Sequence, residues 1–242
     1  MAKKVAIIGY TSHNRLANYD DPTTEIWGLN DLYDQIPRYT RWFEMHQRKI
    51  VDSWQSCRTN RNHLEVLRQM QCPVYMQDHY EDIPCSVKYP LQEIQDFIKQ
   101  RFPGRDFNGY FTNSISYMVA MAIREAFEEI EIYGVDLAVG SEYGSQRPSC
   151  EFWLGVAAGL GAKIYIPPES DLLTSLFLYG YEDEKKAVFM SKVEQVERDV
   201  EGKIQQATAE ELRQRDWKNQ VTGAKEAIRE LKARWLLTEG GD

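Results

Sequence analysis

Short apolar runs, each stopped by a glycine or a polar residue, recur along the first 170 positions. Val5-Ala-Ile-Ile8 is apolar throughout and ends on Gly9, the pattern of a parallel strand buried on both faces. Glu25 to Leu29 predicts a second strand that delivers Asn30 and Asp31, and Tyr39 to Met45 a third that closes on His46. The gap between the first two is too short for a long crossover helix, so Arg15 to Thr24 reads as a helical turn or loop. Residues 47–72 read as a helix, with Leu64, Leu67 and Met70 on one face, ended by Pro73. Pro73 to Met76 reads as another short strand, and 77–90, with Pro84 and Pro90, as irregular chain. Leu91 to Phe102 is periodic for a helix and is stopped by Pro103-Gly104. Ile115 to Phe127 predicts a strongly apolar helix, and Ile130 to Val135 a strand that leads to Asp136. A helix over Glu151 to Leu160 and a strand over Ala162 to Ile166 follow. The β-α-β alternation from Asn108 to Ile166 marks an α/β domain.

From about residue 183 the pattern changes. Phe189, Val193, Val196, Val200, Ala207, Trp217, Val221, Ala224, Ile228, Leu231 and Trp235 hold one heptad phase, with Lys203, Glu210 and Gln214 at the middle of the seam. Gly202 and Gly223 weaken the helix. Such a segment lies on the body of its own chain or makes a coiled coil with another subunit, and an extended seam with mixed-charge flanks favours the second. The expected organisation is a Rossmann-like nucleotide-binding domain over 1–182, a mostly parallel sheet flanked by helices, with a helical oligomerisation tail over 183–242.

Composition narrows the partners. A chain of 242 residues with formal net charge -8 has no global basic field for nucleic acid or an anionic membrane. Cys57, Cys72, Cys85 and Cys150 show no metal-type spacing, which with the absence of a signal-like apolar stretch suggests a cytoplasmic protein with reduced thiols. No H-x-x-x-H or H-E-x-x-H occurs, so no dedicated metal site is expected. Walker A and G-x-S-x-G motifs are missing too, and Gly9 stands alone where a dinucleotide fingerprint needs three glycines.

The candidate chemistry sits where strands end. Gly9, Thr11 and Ser12 follow the first strand, Asn30 and Asp31 the second, and His46 the third. Thr112, Asn113 and Ser114 precede an apolar helix, where they cap it or expose its first amides to a phosphate. Asp136, at the end of a strand, suits a ribose, a base or a turn. The loop that follows holds Glu142, Tyr143, Gln146 and Arg147, with Glu151 just beyond. Arg147 either neutralises a phosphate or carboxylate, or pairs with Glu142 or Glu151 and staples the loop to the helix. His46, Glu142 and Asp136 are the candidate catalytic residues, with His46 or Glu142 as the general base.

Two resemblances rest on these residues. Glu142-Tyr-x-x-Gln-Arg-Pro-x-x-Glu-x-Trp-x-Gly155 with Ile164-x-Ile-Pro-x-x-Ser-x-Leu-Leu173 is similar to a group of tailed-bacteriophage proteins of unassigned activity. More distantly, Gly9 to Ser12, Gly28-Leu-Asn30-Asp31-Leu-Tyr33, Thr112-Asn113-Ser114 and Gly134-Val-Asp136 resemble the bacterial sialyltransferase and motility accessory factor glycosyltransferases. Here the first loop lacks that family's second glycine and proline, and Ser114 lacks the following glycine. The resemblance implies a metal-independent glycosyltransferase-like protein that binds a CMP-activated sugar, with Asn30 and Ser114 facing the nucleotide. It implies no resident cofactor, only a small-molecule nucleotide ligand. A non-catalytic nucleotide-binding module and an assembly protein are the alternatives.

Overall fold

The computed structural model describes residues 3–56, 61–105, 107–138 and 142–238. It divides into two compact units, 1–174 and 175–242. In the first, seven strands form one parallel sheet: β1 (Lys4–Ile8), β2 (Thr24–Leu29), β3 (Arg41–Phe43), β4 (Val74–Met76), β5 (Ser86–Lys88), β6 (Glu129–Tyr133) and β7 (Lys163–Tyr165). Their order is β5-β4-β3-β2-β1-β6-β7. The chain therefore starts in the middle, winds outward to β5, and returns to the other side of β1. That reversal, between β1 and β6, is where open α/β sheets leave a crevice at their carboxyl edge.

Alternation along the strands sorts the core into two faces. Val5 and Ile7 pack with Trp27, Phe43, Ile130 and Ile132 on one side, against α3 (Leu91–Lys99), α4 (Ser114–Arg124) and α5 (Arg147–Gly159). Ala6 and Ile8 face the other side with Ile26, Trp42, Val74 and Met76, against α1 (Arg48–Ser53) and α2 (His63–Gln69). With helices on both faces, β1 is apolar at nearly every position, as its sequence requires. Trp27 and Trp42 are fully buried, and Gly28 leaves room for the Trp42 ring, which a β-carbon there would strike.

Three sequence expectations shift. Residues 47–72 form two short helices instead of one, because α1 ends at Trp54 in an extended conformation and Ser56 is drawn to Asp31. The stretch 77–90 contains β5, an edge strand with only Ser86 buried, so it carries little apolar signal. α5 begins four residues early, at Arg147, with Pro148 pre-set for its first turn.

The second unit contains α6, one helix of 55 residues over Glu184–Thr238. No helix among the described residues is long and apolar enough to cross a membrane.

Candidate functional site

The carboxyl ends of β1 and β6 meet almost in contact. A β-carbon on Gly9 would fall on the carbonyl oxygen of Gly134, and one on Gly134 against Gly9, whose positions only glycine satisfies. Gly134 also has φ +72°, in the left-handed region. Beside this crossing lies a cavity of about 350 Å³, within the size range of small-ligand sites. Its wall is drawn from every strand end singled out in the sequence: Gly9 and Thr11 after β1, Asn30 after β2, His46 after β3, and Asp136 after β6. Thr112, Asn113, Ser114 and Gln146 also line it.

Each wall residue is held by local structure. Asn30 has φ +48°, a conformation that asparagine tolerates better than most residues. Its N–H donates to Phe43 O at 3.0 Å, and its carbonyl accepts from Trp42 Nε1 at 2.9 Å. Its side-chain Oδ1 is buried without a partner. The Thr11 hydroxyl is likewise buried without a partner. Buried polar atoms are nearly always satisfied, so two orphans in one cavity wall mark places for ligand or water. Leu137, also in the wall, has φ +50°, a conformation unusual for a leucine.

The start of α4 closes the cavity on one side. Asn113 Oδ1 caps the helix, accepting from Ser116 N at 2.9 Å. Its Nδ2 donates to Gln146 O at 2.8 Å, and Thr112 Oγ1 to Ser145 O at 2.7 Å, which fastens the π-type turn Glu142–Gln146 to the helix start. The amides of Ser114 and Ile115 precede any intrahelical acceptor and line the cavity. Capping takes Ser116 N and leaves the amides of Ser114 and Ile115 without an intrahelical partner at the cavity. Among the described lining residues none is Lys or Arg.

His46 is oriented by a carboxylate, Glu44, that strand periodicity alone does not single out. Glu44 is fully buried. Its Oε1 accepts from His46 Nδ1 at 2.7 Å and His46 N at 2.9 Å, and its Oε2 from His63 Nε2 at 2.7 Å. His63 Nδ1 is buried without a partner, where a proton would be costly, so Nε2 carries the hydrogen that Glu44 accepts. Burial alone would raise the Glu44 carboxyl, but hydrogen bonds from His46 and His63 outweigh it and hold it below its ordinary 4.5. The hydrogen bond to Glu44 raises His46 above 6.5. Because Nδ1 faces Glu44, Nε2 is the nitrogen left for a ligand. The signal was present: an acid between Phe43 and Met45 in an apolar strand, two residues from a histidine.

His13 is a second histidine that only the fold explains. Gly134 N donates to its Nδ1 at 2.9 Å, so Nε2 bears the proton and donates to Asp136 Oδ1 at 2.8 Å. Asp136 is thereby fixed at the rim with one oxygen committed.

Four expected ligand contacts are corrected. Ser12 is exposed in the short helical turn Ser12–Leu16, outside the cavity wall. Asp31 is buried, with Oδ1 held by Tyr10 Oη and Oδ2 by Ser56 Oγ, each at 2.7 Å. Arg147 and Glu151 form the staple. Arg147 Nε donates to Glu151 Oε1 at 2.7 Å, and its Nη2 to the carbonyls of Asp171 and Thr174. The same Glu151 oxygen accepts from Leu173 N at 2.9 Å. Arg147 is buried and absent from the cavity wall because α5 starts at this residue, which puts Glu151 one turn above it. The side chains of Glu142 and Tyr143 lie outside the described residues.

Arg147→Ala therefore tests location. It should leave the affinity for any ligand of the cavity unchanged and lower unfolding free energy by about 2–4 kcal/mol, since it strands Glu151 and two carbonyls. Urea unfolding and a calorimetric titration measure the two effects, and a large affinity loss at intact stability would contradict the placement.

No protein-family model and no curated protein matches the chain. Solved structures do align with it. The sialyltransferase CstII from Campylobacter jejuni with the substrate analogue CMP-3FNeuAc is 16% identical, with a TM-score of 0.43, covering 69% of this chain and 82% of that one. The same enzyme with trisaccharide acceptor and CMP gives 16% identity, a TM-score of 0.45 and coverages of 69% and 82%. The apo alpha-2,3-sialyltransferase from Campylobacter jejuni is 13% identical with a TM-score of 0.45, over 82% of this chain and 95% of that one. At these identities and TM-scores the likeness assigns neither substrate nor activity.

Proposed function

We propose that the protein is a glycosyltransferase-like enzyme that binds a nucleotide-activated sugar of the CMP type at the β1/β6 crossing, with His46 as general base. One observation carries this reading. A helix N-terminus, two unpartnered side-chain oxygens and an imidazole oriented by a buried carboxylate all belong to the wall of one cavity, or directly back it. The first turn of α4 supplies amides and dipole for a single phosphate. A wall without Lys or Arg among its described residues suits a nucleoside monophosphate better than a more highly charged diphosphate. Asn30 Oδ1 would accept from a ligand N–H or O–H, the Thr11 hydroxyl would donate or accept, and the uncommitted Asp136 oxygen would take a sugar hydroxyl.

In the reaction, an acceptor hydroxyl gives its proton to His46 Nε2 as its oxygen attacks the anomeric carbon. The bond from that carbon to the phosphate oxygen breaks, and CMP leaves with the electron pair at the α4 N-terminus. Direct displacement inverts the anomeric centre. Glu44 accepts from Nδ1–H throughout, fixing the tautomer and stabilising the imidazolium. Glu44 to His46 to acceptor is thus a charge-oriented base, which a site that only stores nucleotide does not need.

The test is release of CMP by the full chain from a CMP-activated acidic sugar in the presence of a panel of glycan acceptors. CMP release with an inverted product supports the proposal. Tight binding without release would make the protein a nucleotide-binding module, and no binding at millimolar ligand would remove both readings.

A further inference from the structure

The seam of α6 is exposed along its length: Phe189 is 65% exposed, Val196 61%, Trp217 68% and Ile228 65%. Large apolar side chains spaced on one helical stripe at that exposure mark an interaction face. The order of residues along the stripe says which partner fits it. Val193, Val200, Ala207, Gln214, Val221 and Ile228 occupy one set of seam positions, and Phe189, Val196, Lys203, Glu210, Trp217 and Ala224 the other. The two sets read as mirror images about a point between Ala207 and Glu210, apolar outside and polar inside.

We infer that α6 is one half of an antiparallel two-helix coiled coil formed with a second copy of this chain. Run antiparallel, each residue of one set meets a residue of the other. Val196 then faces the partner's Val221, and Val200 faces the partner's Trp217. The centre meets the centre: Lys203 faces the partner's Gln214, and the small Ala207 faces the partner's Glu210. Lys203 is then one layer from the partner's Glu210, and on the flank Glu197 comes opposite the partner's Lys218. A parallel, in-register pair also matches apolar with apolar, but sets Lys203 against the partner's Lys203 and Glu210 against the partner's Glu210 inside the seam. Like charges at such positions are how coiled coils exclude an orientation. A polar centre flanked by apolar arms also fixes register, since a one-heptad slip would set Lys203 against an apolar layer.

The test uses the full chain. Light scattering of the unaltered protein should give twice the 28.2 kDa of one chain. A Val196→Cys/Val221→Cys variant is then oxidised, digested and mapped by mass spectrometry. Along one helix these positions are about 37 Å apart, beyond any disulfide, so a link between 196 and 221 must join two copies. That link is the expected result. A monomeric mass, as when the seam belongs to the body of the same chain or to another protein, overturns the inference. So does a larger assembly, or a dimer in which 196 links only to 196 and 221 only to 221, or in which neither position links.

Discussion

Replacing His46 with alanine should slow sugar transfer by about 10²–10⁴-fold, the range for loss of a general base, and leave nucleotide affinity within a few-fold. The split follows from where the ring sits. The proposal puts the nucleotide at the β1/β6 crossing and the α4 N-terminus, whereas His46 follows β3, farther along the sheet edge, with only Nε2 available to a ligand. Losing the ring therefore removes the proton acceptor without touching the amides of Ser114 and Ile115 or the oxygens of Thr11 and Asn30. Comparing kcat with the calorimetric affinity for CMP checks it. If kcat and affinity fell together, His46 would be a binding residue and the base would lie elsewhere.

Glu44→Gln should have the second largest effect, and its signature is a pH shift. In the proposed mechanism the neutral form of His46 is the active one, so the rate should rise as pH climbs through the imidazole value, which the hydrogen bond to Glu44 keeps above 6.5. Removing the charge lowers that value, so the acidic limb of the rate profile moves to lower pH while kcat on the plateau drops. Stability moves as well. The Glu44 carboxyl is held below 4.5 when folded, so its contribution is present above that value and lost as pH falls through the lowered one. The His46 value is raised, so its contribution is full below 6.5 and lost as pH rises through the folded value. Both contributions overlap in the mildly acidic range, where the wild type should exceed the variant most. At pH 6 the variant should be about 1–3 kcal/mol less stable, because its amide puts an NH2 donor where one carboxylate oxygen accepts from an imidazole. Equal pH profiles for the two proteins would show that Glu44 does not act through His46.

Most of the sheet was legible because its inner strands are largely buried, and β1, β2, β4 and β6 read as short apolar or alternating runs bounded by glycine or proline, while β7, exposed at Lys163 and Tyr165, was legible from its place between Gly161 and Pro167. β5 was not, since an edge strand with one buried residue has no pattern to show. The rim was legible for the same reason as the strands: in a parallel sheet every carboxyl end faces one way, so Gly9, Asn30, His46 and Asp136 had to converge. What each rim residue bonds to was much less so. Arg147 could be paired with Glu151 from spacing alone, but the carbonyls of Asp171 and Thr174 that bury it lie 24 and 27 positions away. Asp31 looked like its neighbour Asn30, and only the packing of Tyr10 and Ser56 around it turns it inward. Glu44 and His63 belong together across 19 positions that include a break between two helices. Long-range polar pairing, not periodicity, separates a site residue from a staple here.

The most direct test of the nucleotide site is a crystal structure of the full chain grown with CMP. The phosphate is expected within hydrogen-bond distance of Ser114 N and Ile115 N, with the nucleoside against Asn30 and Thr11, and His46 Nε2 open to the side where the sugar would stand. CMP bound away from the β1/β6 crossing, or no bound CMP at millimolar concentration, would contradict the account.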